Sequence, residues 1–332
     1  MTATGARARS GGRAPGPIRR LRWTALSLAL ALALLEALGR LLPAPPIRSA
    51  WSIPILLTQR AYVERDPVLF WKLPHKAEPR FESAARHRVL CLADSVTVMD
   101  DGHGYPEMLE PLLATRLDGG VSVWNAGVPG YTTEQALRYL AAYGAAAAPT
   151  IVTVQLAWND HSPAMGGKPD HEVRLPPRWV LRAQAVLDDS GLYQMLRRAV
   201  GKGRYVPGPG LRVPLDRYRA NLEALVARSR MRGARVVLLT SPYLSEHEPY
   251  TPIHHAYNAA LLEVASATGA TALDVTAPFV DHPELFLRPE SDHVHFNAEG
   301  SRLIAERLAE TLARVAAEPA SAPRADARSP AS

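Results

Sequence analysis

Along much of the chain, short apolar runs alternate with longer stretches whose apolar positions return every three or four residues. The runs fall at residues 89–92, 121–125, 151–156, 236–240 and 271–275, and each predicts a β-strand. The periodic stretches at 105–117, 134–143, 215–231, 253–268 and 298–315 predict helices. Gly119-Gly120, Pro149, Gly233 and Gly269 stand where the chain must turn. Connections this long join parallel strands rather than hairpins, with the crossover helices packed on the two faces. The fold class expected is therefore α/β, with a central parallel sheet of about five strands. Residues 89–92 (Val-Leu-Cys-Leu) are apolar without alternation, the mark of a strand buried on both faces near the middle of such a sheet.

Elsewhere the pattern lapses. Residues 23–42 are mostly Leu and Ala, broken by Glu36 and Arg40. As a helix this stretch is roughly 30 Å long, the thickness of a bilayer's hydrocarbon core. Arg40 lies one turn from Glu36, near enough to pair with it and to reach the headgroups. Arg7, Arg9, Arg13, Arg19, Arg20 and Arg22 precede the stretch with no acid among them. Residues 1–22 thus read as a basic cytoplasmic tail, and the chain after 42 is expected outside the cytoplasm. Residues 23–42 are read as an uncleaved transmembrane signal anchor, with Pro43, Pro45 and Pro46 as a stiff spacer behind it. The alternative is secretion after cleavage, because residues 23–35 also fit a signal-peptide core and Ala37-Leu38-Gly39 offers a cleavage site.

Residues 43–87 read as a juxtamembrane linker and packing arm, irregular over 61–81, where Tyr62, Phe70, Trp71 and Phe81 fall. The main domain is expected over 88–316. Within it, residues 159–214 lack the alternation and hold at most short helices around 182–198, as a lid or substrate-binding insertion does. Residues 317–332, rich in Ala, Pro and Ser, are expected to be a disordered tail.

Charge and cysteine content narrow the function. The net charge is +6, from 38 basic and 32 acidic residues, and the six N-terminal arginines account for the whole excess. The balanced remainder leaves no basic surface for nucleic acid. Cys91 is the only cysteine, so no intramolecular disulfide can form. Its place in the first apolar run fits a small buried hydrophobe, not a nucleophile.

In a parallel sheet the C-terminal strand ends share one edge, where ligands bind. That edge would gather Asp94-Ser95, Asn125-Ala126-Gly127, Trp158-Asn159-Asp160 and, ahead of the last helix, Ser291-Asp292-His293-Val294-His295-Phe296-Asn297. Acyl transfer uses these residue types. A serine hydroxyl needs a base, which a neutral imidazole supplies, and the imidazole needs a carboxylate on its other nitrogen to fix its tautomer. Asp292 and His295 are close enough for a single turn to bring carboxylate and ring together. The negative oxygen of a tetrahedral intermediate needs donors fixed in advance, and the amides of Ser95 and Gly127 with the side chain of Asn159 offer three.

Taken in order, Ala93-Asp94-Ser95, Asn125-Ala126-Gly127, Trp158-Asn159-Asp160 and Asp292-x-x-His295 resemble the four blocks of the SGNH (GDSL-type) hydrolases, here in a membrane-anchored bacterial form. The resemblance covers residues 88–315. It implies a three-layer α/β/α sandwich of flavodoxin-like type, with no cofactor. It also implies Ser95 as nucleophile, His295 as base, Asp292 as its orienter, and Ser95, Gly127 and Asn159 as the oxyanion hole. The expected activity is a serine esterase or deacylase acting on an acyl ester, such as an O-acetyl group, of an envelope carbohydrate or lipid. An O-acyltransferase with a sugar hydroxyl as acceptor would use the same groups. Ala93 stands where the family has glycine, and an inactive domain that binds glycan or a partner protein is the reading that substitution favours.

Other candidates have plainer readings. His293 is a neighbour without chemistry, and His103, His254 and His255 lack the spacing of zinc ligands. Asp94 and Asp160 order loops by hydrogen bonding, and Asn297 caps the last helix. Gly127-Val128-Pro129-Gly130 lacks the lysine of a phosphate loop. Trp158, Trp179 and Tyr193 either stack on a sugar ring or pack against protein.

Overall fold

The computed structural model describes residues 16–41, 63–73, 76, 78–98, 104–165, 167–188, 190–199, 207–244, 251–290 and 292–318. Arg7, Arg9, Arg13, Tyr62, His103, Ser291, the proline spacer and the tail beyond 318 lie outside the described residues, as does the side chain of His293.

The chain opens on helix α1 (Pro17–Leu41), followed by strands β1 (Glu64–Asp66) and β2 (Phe70–Lys72). Alternation then begins with β3 (His87–Ala93), α2 (Tyr105–Ala114), β4 (Val121–Asn125), α3 (Thr133–Ala147) and β5 (Ile151–Gln155). Next come β6 (Pro163–Met165), α4 (Arg178–Leu187), α5 (Gly191–Ala199) and β7 (Pro207–Leu211). Then follow α6 (Leu215–Arg230), β8 (Arg235–Leu239), α7 (Thr251–Thr268), β9 (Thr271–Leu273), β10 (Phe286–Arg288), β11 (Asp292–Phe296) and α8 (Ala298–Ala317). Contacts divide the chain into two units, Met1–Ile47 with Arg182–Arg204, and Arg48–Leu181 with Tyr205–Ser332.

The larger unit is built on a five-stranded parallel sheet in the order β4-β3-β5-β8-β9, the flavodoxin-like order. Period-two alternation splits each central strand between two cores. Leu90, Leu92, Val152, Val154, Val236 and Leu238 face α3, α6 and α7 through Leu137, Leu140, Leu222, Leu225 and Leu261. Val89, Cys91, Ile151, Val237 and Leu239 face α2 and α8 through Leu109, Leu113, Ile304, Leu308 and Leu312. A leucine buried this fully contributes about 1.5–3 kcal/mol. The three-layer α/β/α sandwich thus follows from apolar strands that must be covered on both faces. Cys91 is wholly buried, and that burial pushes its thiol up to about 12.

Three short antiparallel pairs depart from the expected pattern. The arm read as irregular over 61–81 carries the antiparallel pair β1–β2, and it sinks Phe70, Trp71 and Leu73 into the core. Three-residue strands are too short for alternation to show in sequence. The β6–β7 pair forms within the insertion, and β10–β11 forms ahead of α8, where no strand was predicted. Bonds from Arg212 N to Ser162 O (2.8 Å) and from Val213 N to Asp160 O (2.9 Å) close the base of the insertion.

In the smaller unit, α1 is long and apolar enough to cross a membrane by length and composition, with a mean hydropathy of 1.6 over its most apolar window. It is the only such helix among the described residues.

A buried ion pair fixes the loop after β4. Arg212 donates to both carboxylate oxygens of Asp170 (2.8 and 3.2 Å), to Gln135 Oε1 (3.0 Å) and to the carbonyl of Gly130 (2.8 Å). Both side chains are almost fully buried. Removing one partner strands the other charge in the core. Arg212→Met should therefore destabilise the protein by about 3–5 kcal/mol in urea unfolding. Arg212→Met with Asp170→Leu should recover much of that loss, whereas an Arg212→Met variant as stable as the parent would contradict this account.

Candidate active site

Ser95 stands at the C-terminal end of β3, on a single 3-10 turn, Ser95–Thr97. Asp94 caps that turn, its Oδ1 accepting from Val96 N at 3.0 Å. The hydroxyl of Ser95 is therefore presented at the sheet edge by a turn that Asp94 and the bond from Val98 N to Ser95 O (3.0 Å) hold in place. Ala93 needs no glycine. It pairs with Gln155 as a regular strand residue, and among the described residues only Phe70 and Ala148 are non-glycines with positive φ. The methyl group thus puts no strain on the turn.

His295 comes from the far end of the chain. Phe296, fully buried against Phe279 and Phe286, fixes the register of β11, and His295 next to it turns the other way, as strand alternation requires. Asn297 then caps α8 as expected, its Oδ1 accepting from the amides of Glu299 and Gly300 at 3.0 Å each. Asp292 opens the strand and folds back, accepting from the amides of Val294 (3.3 Å) and His295 (3.1 Å). Both its oxygens lie 2.9 Å from His295 Nδ1, and His295 Nε2 lies 2.8 Å from Ser95 Oγ. Nδ1 carries the proton that Asp292 accepts, which leaves Nε2 to accept from the serine hydroxyl.

The electrostatics fit that arrangement. Burial alone would raise Asp292, but the bonds from His295 and from the two amides hold it down at about 2. Burial disfavours a charged His295, and the Asp292 carboxylate outweighs it, so the imidazole sits above its ordinary value. Asp94 is pushed up to about 6 by burial, against the bonds it accepts from Val96 and Asn159.

Asn159, in the loop after β5, donates from Nδ2 to Asp94 Oδ2 at 2.8 Å, which sets its amide beside the serine turn and leaves a second N–H to give. Gly127 lies against the same turn. A Cβ there would fall 1.9 Å from Thr97 Oγ1 and 2.9 Å from Asp94 O, so only glycine fits. Its amide, however, is already donated to Asn125 Oδ1 at 2.9 Å. The unspent amide of this loop belongs to Gly130, which finds no acceptor among the described residues. Gly130 has φ +80° at the third position of a turn closed by Tyr131 N on Val128 O at 3.0 Å. Pro129-Gly130 is the signal in the sequence for such a type II turn.

Further ordering groups escaped the sequence reading. Asn125 donates to Thr97 O (2.7 Å) and Glu107 (2.8 Å) while accepting from Thr97 Oγ1 (3.0 Å), tying together the loops after β3 and β4. Asp160 accepts from Thr133 N (3.0 Å) and Thr133 Oγ1 (2.5 Å), the loop-ordering role expected of it. Trp158 stacks on His254 at 3.8 Å, while Trp179 is exposed and Tyr193 lies under the Arg197 guanidinium. Among the described residues no three His, Cys, Asp or Glu side chains form a metal-binding group.

The match to known proteins is broad. The GDSL-like lipase/acylhydrolase family matches residues 91–303, more than half of the chain. The chain belongs to that family. Members are hydrolases that act on esters, and so is this enzyme. No curated protein matches the chain. Its fold is similar to that of the acetylxylan esterase Axe2 from Geobacillus stearothermophilus, at 19% identity and a TM-score of 0.47, covering 68% of this chain and 94% of that one. The lipase/acylhydrolase from Enterococcus faecalis is similar at 20% identity and 0.47, covering 69% and 96%. LAE5, an α/β hydrolase from the metagenome of Lake Arreo, gives 19% and 0.47, covering 71% and 98%.

Two residues after Asn159, this GDSL-family enzyme buries His161 against His254. His254 Nε2 meets the carbonyl of Ser241 at 2.9 Å and must donate, so its Nδ1 accepts from His161 Nε2 at 3.0 Å. Burial lowers His161 to about 4 and His254 to about 3. An unfolded histidine titrates near 6.5, so the unfolded chain takes up protons that the folded one refuses as the pH falls from about 6.5 to about 4, and stability is lost over that window. His254→Gln should lower the urea midpoint at neutral pH, and the gap from the parent should narrow towards pH 4.5. A gap independent of pH would mean the pair does not titrate this way.

Proposed function

We propose that this enzyme hydrolyses its ester through an acyl-Ser95 intermediate. The reading rests on the unbroken chain of short contacts from Ser95 Oγ through His295 to Asp292. Ser95 Oγ attacks the ester carbonyl carbon as His295 Nε2 takes the hydroxyl proton, and Asp292 stabilises the imidazolium that results. The carbonyl oxygen, now negative, is met by the amide of Ser95, the free N–H of Asn159 Nδ2 and the amide of Gly130, while Gly127 serves as the gap-free packing point beneath them. When the intermediate collapses, the C–O bond to the alcohol breaks and His295 returns its proton to the departing oxygen. Water then enters at the carbonyl carbon, gives its proton to His295, and the acid leaves Ser95.

The proposed substrate is an acyl ester, such as an O-acetyl group, on an envelope carbohydrate or lipid. It is supported by the length and apolar composition of α1, which we read as a membrane anchor with the catalytic unit on the extracytoplasmic side.

Ser95→Ala should cut kcat on p-nitrophenyl acetate by on the order of 10⁴-fold or more with the fold unchanged by circular dichroism. A fluorophosphonate probe should label the parent and not the variant. A variant that still turns over at the parent's rate would overturn the assignment.

The pH profile tests the base. His295 must be neutral to accept a proton, and its ring sits above its ordinary value, so kcat/KM should fall with decreasing pH on a limb placed above about 6.5. Asp292→Asn should lower kcat by about 10⁴-fold, through loss of the productive tautomer. It should also shift the limb to lower pH, and an unmoved limb would count against Asp292.

A further inference from the structure

Glu36 is out of place on an apolar helix. A carboxylate near hydrocarbon is unfavourable unless its oxygens are bonded, and an ionised group there calls for a named partner. Arg40, one turn on, gives it a single bond at 2.7 Å. The rest come from the insertion: Ser190 Oγ at 2.7 Å, Gly191 N at 3.0 Å and Leu192 N at 3.0 Å. These are the first donors of α5, so the carboxylate of one helix caps the N-terminus of another, where the dipole favours negative charge.

The backbones meet at the same place. A Cβ on Gly39 would fall 2.3 Å from the carbonyl carbon of Gly191, and one on Gly191 would fall 2.6 Å from the nitrogen of Arg40. Small residues facing each other are how helices approach closely where lipid supplies no hydrophobic drive.

Glu36 closes the uncharged stretch 23–35, which puts it at the boundary between hydrocarbon and headgroups if α1 spans the bilayer. A segment docked there lies at that boundary too. Its apolar side chains face outward: Val186, Leu187 and Leu196 are 76%, 46% and 56% exposed. In the same segment Arg197 pairs with Asp188 at 3.2 Å, so these two charges are matched to each other at that boundary.

We propose that residues 182–199 form a membrane-interface element, docked on Glu36 through the N-terminus of α5, with Val186, Leu187 and Leu196 in the outer acyl-chain region of the bilayer. The inference rests on the membrane reading of α1. It also requires α1 to be retained, since cleavage at 37–39 would take the cap away.

The test uses the full chain reconstituted in phosphatidylcholine vesicles whose acyl chains carry bromine. An environment-sensitive fluorophore is attached at Leu196→Cys, at Leu30→Cys or, as a water-facing control on α8, at Arg302→Cys; wholly buried Cys91 stays unlabelled. Hydrolysis of p-nitrophenyl acetate, unchanged in every variant, reports a folded catalytic unit. The probes at residues 30 and 196 should lose most of their emission to bromine, and the probe at 302 should keep it. Adding Glu36→Ala should restore emission at 196 and leave 30 quenched. A bright probe at 196 with a quenched one at 30 overturns the proposal and spares the membrane reading. A bright probe at 30 overturns both. Quenching at 196 that ignores Glu36→Ala overturns the docking.

Discussion

Parallel strands all deliver their carbonyl ends to the same edge, and in this protein the residues of the candidate site follow those strand ends. Ser95 follows β3, Gly127 and Gly130 follow β4, and Asn159 follows β5. Two side chains then convert neighbouring loops into one body. Asp94 takes the amide of Asn159 from across the first and third strands of the sheet, and Asn125 binds both the 3-10 turn and the helix that follows it. These bonds are buried or partly buried, so the loops around Ser95 are held in one arrangement. His295 reaches the same edge by another route, carried on a hairpin that Phe296 pins to the core shared with α2 and α8.

The pairing of Asp292 with His295 bears on geometry more than on stability. Both side chains keep some exposure, 23% and 30%, and an ion pair so placed is partly screened by water. What it fixes is direction. With four contacts converging on one carboxylate, the imidazole has one tautomer and one face towards the serine. The deeply buried Arg212–Asp170 pair is the opposite case. It makes no hydrogen bond to Ser95 or His295, yet it holds the carbonyl of Gly130 and so the attitude of the turn in which that residue stands third.

Much of this was legible in the sequence because it is local. The parallel sheet and its helices follow from apolar periodicity, and strand ends identify the edge where Ser95, Asn159 and His295 meet. Less legible was anything decided by a side chain meeting a distant backbone. The amide of Gly127 counts as available until Asn125 is seen to occupy it, and nothing in the spacing of residues 125 and 127 announces that bond. Gly130 carried a signal in Pro129-Gly130, but a turn signal does not say which amide stays free. His161 and His254 are 93 positions apart and share a hydrogen bond only because α7 returns beside the loop after β5. The β1–β2 hairpin escaped for a simpler reason: three residues do not establish a period.

The N-terminal helix shares its unit with a segment lying some 140 positions further along the chain, from Arg182 to Arg204. That discontinuity changes what a single proteolytic cut can do. Were a protease to sever the connector between residues 41 and 63, the catalytic fragment would retain Ser190, Gly191 and Leu192, and with them its grip on Glu36. The two pieces would behave as a nicked but assembled protein, and release would depend on how fast one helix lets go of the other rather than on the cut itself.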